Sequence, residues 1–136
     1  MFTYQTTVRL SDTDATGVLY FTQQLRMALE AFEQFLKERG FGLSKLCDSP
    51  YLMPIVHAEA DYLSALKVDD EIEISLSVEK IGNRSFSILY MFSDTEGKKS
   101  FGTVKLVHAF IKKGESKSTE LTPELIEILE GVSAKI

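Results

Sequence analysis

The chain has 136 residues, a formal net charge of −5 at pH 7, and 44% hydrophobic residues. This length suits one globular domain with a real core, so we predict a single domain over residues 1–136. The acidic balance disfavours a general nucleic-acid binder or a binder of anionic membranes, although a few local cations could still serve a phosphate-bearing ligand. The lone cysteine, Cys47, excludes an internal disulfide and a cysteine-rich metal site. With no signal-like segment and no apolar run long enough to cross a bilayer, the sequence predicts a cytoplasmic protein.

The N-terminal segment 2–10 alternates between apolar and polar residues. That period of two predicts a strand with one buried face. Segment 11–17 then breaks the alternation with turn-forming residues. The residues expected on the buried face of the strand are Phe2, Tyr4, Val8 and Leu10.

From about Leu19 to Arg39 the period changes to that of a helix. Its apolar stripe is widened by Ala28, Ala31 and Phe35, and Gly40 follows in the position that often ends a helix. The sequence therefore predicts one long amphipathic helix. The residues expected along the stripe are Leu25, Leu29, Phe32 and Leu36.

A connection over 41–54 leads into a dense series of strands separated by short turns, followed by a polar loop and a terminal helix. Thr122 stands at the N-cap of that helix and Pro123 at its first position. Short reversals predict a mainly antiparallel sheet, with the early helix covering one face, and therefore an α+β fold of about five strands. We also expect at least a homodimer. The later strands are predicted over 55–63, 71–81, 86–92 and 100–111.

The stretch from Asp12 to Phe21 (DTDATGVLYF) joins the first strand to the helix and carries the chemistry. Helix starts leave backbone N–H groups unpaired and carry partial positive charge, so they can stabilise a developing oxyanion. A carboxylate just upstream could act as nucleophile or general base. This arrangement suits acyl chemistry, although an aspartate before a helix is more often a cap or turn former.

This stretch resembles the N-terminal motif of the 4-hydroxybenzoyl-CoA thioesterase family. The resemblance implies the hotdog fold, a curved antiparallel sheet wrapped around one long helix, and hydrolysis of acyl-CoA without a cofactor. Within the family, Pro54–Ala58 (PIVHA) looks most like the 1,4-dihydroxy-2-naphthoyl-CoA hydrolases, which serve quinone biosynthesis. The expected assembly is a homodimer or homotetramer.

Carried over residue by residue, the resemblance makes Asp14 the catalytic aspartate. It makes Gly17 the glycine that lets the loop pass close to the thioester, and Phe21 the residue whose backbone N–H polarises the carbonyl. Members of the family often have histidine or proline, then asparagine and tyrosine, after this point. Here the residues are Thr22, Gln23 and Gln24.

Other ionisable residues give weaker hypotheses. Asp12 is expected to be a turn or capping residue, and Glu30 and Glu33 solvated or interface charges, with Glu33 the second acid to test. The two histidines, His57 and His108, fall in predicted strands, away from the helix and the motif, which disfavours a hotdog dehydratase and a metal site.

Arg84 is a candidate contact for the CoA phosphates, and four lysines are further candidates: Lys98, Lys99, Lys112 and Lys113. The leading hypothesis is a thioesterase acting on an aromatic acyl-CoA, with 1,4-dihydroxy-2-naphthoyl-CoA favoured. A broad short- or medium-chain acyl-CoA thioesterase and a non-catalytic acyl-CoA-binding module are the alternatives.

Overall fold

The computed structural model describes residues 1–133, so the last residues of the predicted domain lie outside the described part. The helices are α1 (Phe21–Glu38), α2 (Leu43–Asp48) and α3 (Pro123–Glu130), with a 3-10 turn at Leu10–Asp12. The strands are β1 (Phe2–Thr7), β2 (Tyr51–Leu52), β3 (Ile55–Tyr62), β4 (Glu71–Ile81), β5 (Ser85–Asp94), β6 (Ser100–Ala109) and β7 (Ile111–Lys112).

Five strands form one sheet in the order β1-β4-β5-β6-β3, and every neighbouring pair is antiparallel. α1 packs across one face of this sheet. Along β4 the side chains alternate, so that Ile72, Ile74, Leu76 and Val78 are fully buried on the helix side while the residues between them face outward. The predicted α+β arrangement of about five antiparallel strands and one long helix is confirmed.

The buried face of α1 differs from the predicted stripe. Leu25 and Leu29 are only partly buried, whereas Gln24 and Met27 are 1% exposed. The face is centred on the small residues Ala28 and Ala31, which let the helix approach the sheet closely. The prediction weighted the large aliphatic residues and so placed the stripe too far round the helix. The buried residues of α1 are Gln24, Met27, Ala28, Ala31, Phe32, Phe35 and Leu36.

The first strand is shorter than predicted. β1 ends at Thr7, and Leu10 is 77% exposed rather than buried. The cause is local, because a carboxylate oxygen of Asp12 accepts the backbone N–H of Arg9 at 2.9 Å and turns the chain into the 3-10 helix. The alternating pattern continued beyond the point where this turn ends the strand.

The long helix begins and ends within two residues of the prediction. Tyr20 is extended and α1 starts at Phe21. At the other end Gly40 adopts a φ of +77°, and the N–H of Phe41 bonds to the carbonyl of Leu36 at 2.8 Å. This is a Schellman-type end, as the position of Gly40 predicted.

The predicted connection over 41–54 contains structure that the sequence did not indicate. It forms α2 and then β2, which pairs with β7 in a second, two-stranded sheet. The last predicted strand correspondingly ends at Ala109 rather than 111 and resumes as β7. Among residues 1–133, none of the helices has the length and apolar character needed to cross a membrane.

Candidate active site

The loop between β1 and α1 folds back on itself. Thr13 and Leu19 form an isolated antiparallel bridge, and the N–H of Asp14 donates to the carbonyl of Val18 at 2.9 Å. Gly17 makes the reversal possible with a φ of +79°, which side-chain-bearing residues rarely adopt. A Cβ at Gly17 would meet nothing within 4 Å, so its backbone angle, rather than crowding, requires glycine here.

The two aspartates of this loop have different surroundings. Asp12 is 5% exposed, and its Oδ1 lies 2.6 Å from Nη2 of Arg26. Its other oxygen accepts the Arg9 N–H in a capping arrangement. Asp12 therefore ties the loop to α1, which confirms the turn and capping role expected from the sequence.

Asp14, in contrast, is exposed and makes only hydrogen bonds within the loop. Its Oδ1 accepts the hydroxyl of Thr16 at 2.6 Å and the backbone N–H of Thr16 at 2.8 Å, with a longer bond of 3.4 Å from the Val18 N–H. These bonds, led by the Thr16 hydroxyl, lower the pKa of Asp14 below its ordinary value of 3.8. Asp14 is therefore ionised at neutral pH, and its Oδ2 has no hydrogen-bond partner within residues 1–133.

The start of α1 is left open. Tyr20 at the N-cap makes no side-chain cap, and the first turn contains no acidic residue. The Gln23 N–H bonds to the Tyr20 carbonyl at 2.9 Å, while the Phe21 N–H has no acceptor among the described residues. An unpaired donor at the positive end of a helix can bind developing negative charge on an acyl oxygen.

A cleft of about 250 Å³ lies beside this helix start. Its walls come from the end of the loop, the first turn of α1 and the segment that follows β3, and are mostly apolar. Phe21 contributes to the wall, whereas Asp14 does not border the cleft in the single chain. The lining residues are Val18, Leu19, Phe21, Gln24, Tyr62, Leu63, Ser64, Ala65 and Leu66.

Comparison with known proteins identifies the family to which this architecture belongs. Residues 8–129 match the family model described as the Thioesterase-like superfamily. The chain belongs to the Thioesterase-like superfamily. The predicted family resemblance is thereby confirmed.

Individual proteins are similar to this chain along nearly its whole length. The 1,4-dihydroxy-2-naphthoyl-CoA hydrolase of Nostoc punctiforme is 36% identical over 130 residues, covering 95% of this chain and 86% of the relative. The enzyme of the same name from Rippkaea orientalis is 35% identical over 129 residues, covering 93% and 94%. The crystal structure of a 1,4-dihydroxy-2-naphthoyl-CoA thioesterase from Synechocystis superposes with a TM-score of 0.88 at 28% identity, covering 94% of each chain. The predicted hotdog fold is confirmed.

Within this thioesterase-like chain, two side chains hold the helix start against the sheet. Nε2 of Gln24 donates to the backbone carbonyls of Asp61 in β3 and Thr103 in β6, each at 3.1 Å. The hydroxyl of Tyr62 donates to the carbonyl of Phe21 at 2.6 Å. Burial raises the pKa of Tyr62, so its hydroxyl stays protonated and remains a donor.

Gln24 and Tyr62 were not among the predicted site residues. The signal for Gln24 was present: it precedes Ala28, Ala31 and Phe35 at helical spacing, so it is a polar residue on the buried face. Tyr62 carried no such signal, because its hydrogen bond joins residues 41 positions apart in the chain.

The structure does not bring Arg84 to the cleft within one chain. Arg84 lies in the turn before β5, where Ser85 pairs with Ala109, whereas the cleft lies near Gly102, which pairs with Tyr62. The seven-residue separation along β6 corresponds to about 23 Å. Arg84 is exposed, and so it meets solvent at the far end of the sheet.

The other acids and the histidines also lie away from the cleft. Glu30 pairs with Arg26 at 2.7 Å, and Glu33 is exposed. His57 is exposed and lies 2.7 Å from Glu59, whereas His108 is buried in the core. No group of three metal-ligating side chains comes together anywhere in residues 1–133.

Proposed function

We propose that this protein is an acyl-CoA thioesterase that hydrolyses an aromatic acyl-CoA, with 1,4-dihydroxy-2-naphthoyl-CoA the favoured substrate. The observation that carries the proposal is the uncapped start of α1 beside an apolar cleft, with the ionised Asp14 on the loop leading into it. The names of the relatives from Nostoc punctiforme and Rippkaea orientalis support the choice of acyl group. The products would be a free aromatic acid, of use in quinone biosynthesis, and CoA, with no cofactor required.

In the proposed reaction the thioester carbonyl oxygen accepts the Phe21 N–H. Asp14 either attacks the carbonyl carbon to form an anhydride, which water then hydrolyses, or takes a proton from a water molecule that attacks in its place. In both routes the carbon–sulfur bond breaks and CoA leaves as its thiolate, which needs no strong general acid. Both routes require Asp14 to be ionised, and its lowered pKa supplies that state at neutral pH.

We further propose that two copies of the chain complete the site. β3 is an edge strand that pairs only with β6 in the described chain, so its outer edge offers unpaired backbone groups. Large apolar side chains on and beside it are exposed, which is unusual for an edge that faces water. They are Leu52 (47%), Ile55 (41%), Val56 (62%), Tyr62 (50%) and Leu63 (61%).

A homodimer formed through β3 would also explain the position of Arg84. In β3, Ile55 lies opposite His108, near the Arg84 end of the sheet, and Tyr62 lies at the cleft end. Antiparallel pairing of two β3 strands about a two-fold axis sets the Arg84 end of one copy beside the cleft of the other. Arg84 thus stays a candidate for the CoA phosphates, acting across the dimer. A homotetramer built from two such dimers, located in the cytoplasm, is compatible with this proposal.

The test is hydrolysis of a panel of aromatic and aliphatic acyl-CoA thioesters, measured by thiol release, for the wild type, Asp14→Asn and Asp48→Asn. Asp48 is an exposed aspartate at the end of α2 and provides the matched control. We expect Asp14→Asn to lower kcat/KM by about 10²–10⁴-fold and Asp48→Asn to have no effect. If folded Asp14→Asn protein is as active as wild type, Asp14 is not the reacting group. If the wild type binds acyl-CoA but hydrolyses none, the protein is a binding module.

A further inference from the structure

Gln24 is a buried polar side chain. Only the nitrogen of its amide takes part in holding α1 against the sheet. It is 1% exposed and lies on the helix face that packs against the sheet. A buried amide group without hydrogen bonds is strongly destabilising, so both of its ends require partners. In Gln24, only the nitrogen end of the amide has partners among residues 1–133.

The orientation of this amide is fixed by its surroundings. The nitrogen faces two backbone carbonyls, those of Asp61 and Thr103, each at 3.1 Å. Carbonyls only accept hydrogen bonds, so the NH₂ group must point toward them and the Oε1 atom away from them. A rotated amide would set its oxygen against two other oxygens.

The sheet makes room for the amide at Gly102. A Cβ at this position would lie 2.8 Å from Nε2 and 3.1 Å from Oε1 of Gln24, and closer still to the carbonyl of Asp61. The amide is therefore confined between α1 and β6. It cannot move aside to find another partner for its oxygen.

The oxygen of this confined amide has no donor among residues 1–133. Tyr90 Oη and His108 Nε2 are the side-chain atoms of the described residues that are both unpaired and fully enclosed. The Gln24 oxygen differs from them because it is not fully enclosed. Gln24 borders the cleft, which is the open space next to this side chain. The cleft wall thus contains a rigid hydrogen-bond acceptor in mostly apolar surroundings.

We infer that Oε1 of Gln24 accepts a hydrogen bond from a ring hydroxyl of the acyl group and so selects hydroxylated aromatic substrates. This inference rests on the proposed thioesterase function. Gln24 lies one helical turn after Phe21, about 4.5 Å along the axis, so a ring attached to a carbonyl held at Phe21 is long enough to reach it. An apolar site with one buried acceptor rejects an analogue lacking the donor, because the acceptor is then left unpaired.

The chemistry of 1,4-dihydroxy-2-naphthoyl-CoA identifies which hydroxyl is concerned. The 1-hydroxyl is adjacent to the acyl group and can donate to the thioester carbonyl of the same molecule. The 4-hydroxyl has no such internal partner. Gln24 is therefore assigned to the 4-hydroxyl, and 1-hydroxy-2-naphthoyl-CoA is the analogue that lacks only this donor.

The experiment measures kcat/KM for 1,4-dihydroxy-2-naphthoyl-CoA and 1-hydroxy-2-naphthoyl-CoA with the wild type, Gln24→Met and Gln34→Met. Gln34 is on the same helix, away from the cleft, and its amide bonds to Glu38, so it controls for the chemical change. We expect the wild type and Gln34→Met to prefer the dihydroxy substrate by about tenfold. Gln24→Met should reduce that ratio to about one.

A ratio that is unchanged in Gln24→Met overturns the inference, and so does a wild-type ratio of one. In both cases the wild type still hydrolyses both thioesters, and the proposed function stands. If the wild type hydrolyses neither, the proposed function fails and the inference fails with it. Should Gln24→Met not fold, Gln24→Lys replaces it, because an ammonium group can donate to both carbonyls but offers no acceptor.

Discussion

The starts of α1 and α3 are built in opposite ways. In α3, the hydroxyl of Thr122 accepts the Leu125 N–H at 3.3 Å, Pro123 occupies the first position and Glu124 lies in the first turn. The start of α1 has no side-chain cap and no acidic residue, and it is held from the side by Gln24 and Tyr62. A cap occupies the helix donors, whereas a lateral hold leaves them available. The hydroxyl of Thr122 thus uses a donor of α3 within the fold, whereas the Phe21 N–H of α1 has no acceptor among the described residues, as the proposed site requires.

Disturbing the packing of Gln24 against β6 should have the largest effect on stability. Gly102→Ala introduces a Cβ that collides with the carbonyl of Asp61 and lies 2.8 Å from Nε2 of Gln24. We expect a loss of about 1–3 kcal/mol in the free energy of unfolding, since backbone has to move. Urea denaturation of Gly102→Ala measures this loss. Equal stability of Gly102→Ala and wild type would contradict the close packing of Gln24 against β6.

Low pH should affect the stability of the core, through His108, before it affects the activity of the loop that carries Asp14. Burial lowers the pKa of His108 below 6.5, and the ring of this residue stacks on Phe86 and lies tilted against Phe32, with centroids 5.0 Å apart in each pair. Below pH 6.5 the unfolded chain binds a proton that the folded chain does not, so the free energy of unfolding falls as pH drops toward the folded pKa of His108. The slope is at most about 1.4 kcal/mol per pH unit.

Asp14 titrates in a lower range, because its pKa lies below 3.8. The acid limb of kcat/KM for the folded protein should therefore appear only below that pH, while stability already declines below 6.5. Denaturation at a series of pH values should show the slope in wild type and a smaller slope in His108→Phe. An equal slope in His108→Phe would contradict the assignment.

Much of this comparison could be predicted from the sequence. Thr122 and Pro123 carry a local cap pattern, Gly40 carries a local helix end, and the motif from Asp12 to Phe21 carries the family resemblance. Each of these signals lies within a few neighbouring residues. Local hydrogen bonding and periodicity determine such features, so the sequence predicted them correctly.

The features that the sequence did not predict depend on contacts between distant segments. Gln24 bonds to backbone carbonyls 37 and 79 positions away, and any residue type can supply a carbonyl. The pairing of β2 with β7 joins two short segments without a strand-like pattern. The position of Arg84 relative to the cleft likewise depends on strand order, in which β3 lies at the far edge beside β6. Helical spacing places Gln24 on the buried face of α1, but none of these contacts between distant segments leaves a local pattern that names the partner.

Removing the cap of α3 should have a moderate effect that is confined to stability. Thr122→Ala is expected to lower the free energy of unfolding by about 1 kcal/mol, because the Leu125 N–H loses its acceptor. Thioester hydrolysis should be unchanged at a temperature where the protein is folded. Thr122→Ser, which retains the hydroxyl, is the matched control, and an equal loss in both variants would argue against a capping effect.

Supplying α1 with the acid that it lacks should have the smallest effect on stability. Thr22→Glu adds a carboxylate to the first turn and is expected to raise the free energy of unfolding by about 0.3–1 kcal/mol. The same charge opposes an oxyanion at the helix start, so kcat should fall by about tenfold. Thr22→Gln separates charge from size, and equal kcat values in the two variants would show that the helix start does not meet developing charge.

The most direct test of the central claim removes only the N–H of residue 21. Tyr20 is extended, with φ −69° and ψ 136°, and proline is accepted at the first position of a helix, so Phe21→Pro is compatible with the backbone. Phe21→Ala loses the same ring but keeps the N–H. We predict that kcat for aromatic acyl-CoA hydrolysis is about 10²–10³-fold lower in the folded Phe21→Pro protein than in Phe21→Ala. Equal kcat values in the two variants would contradict the proposal that this amide binds the thioester oxygen.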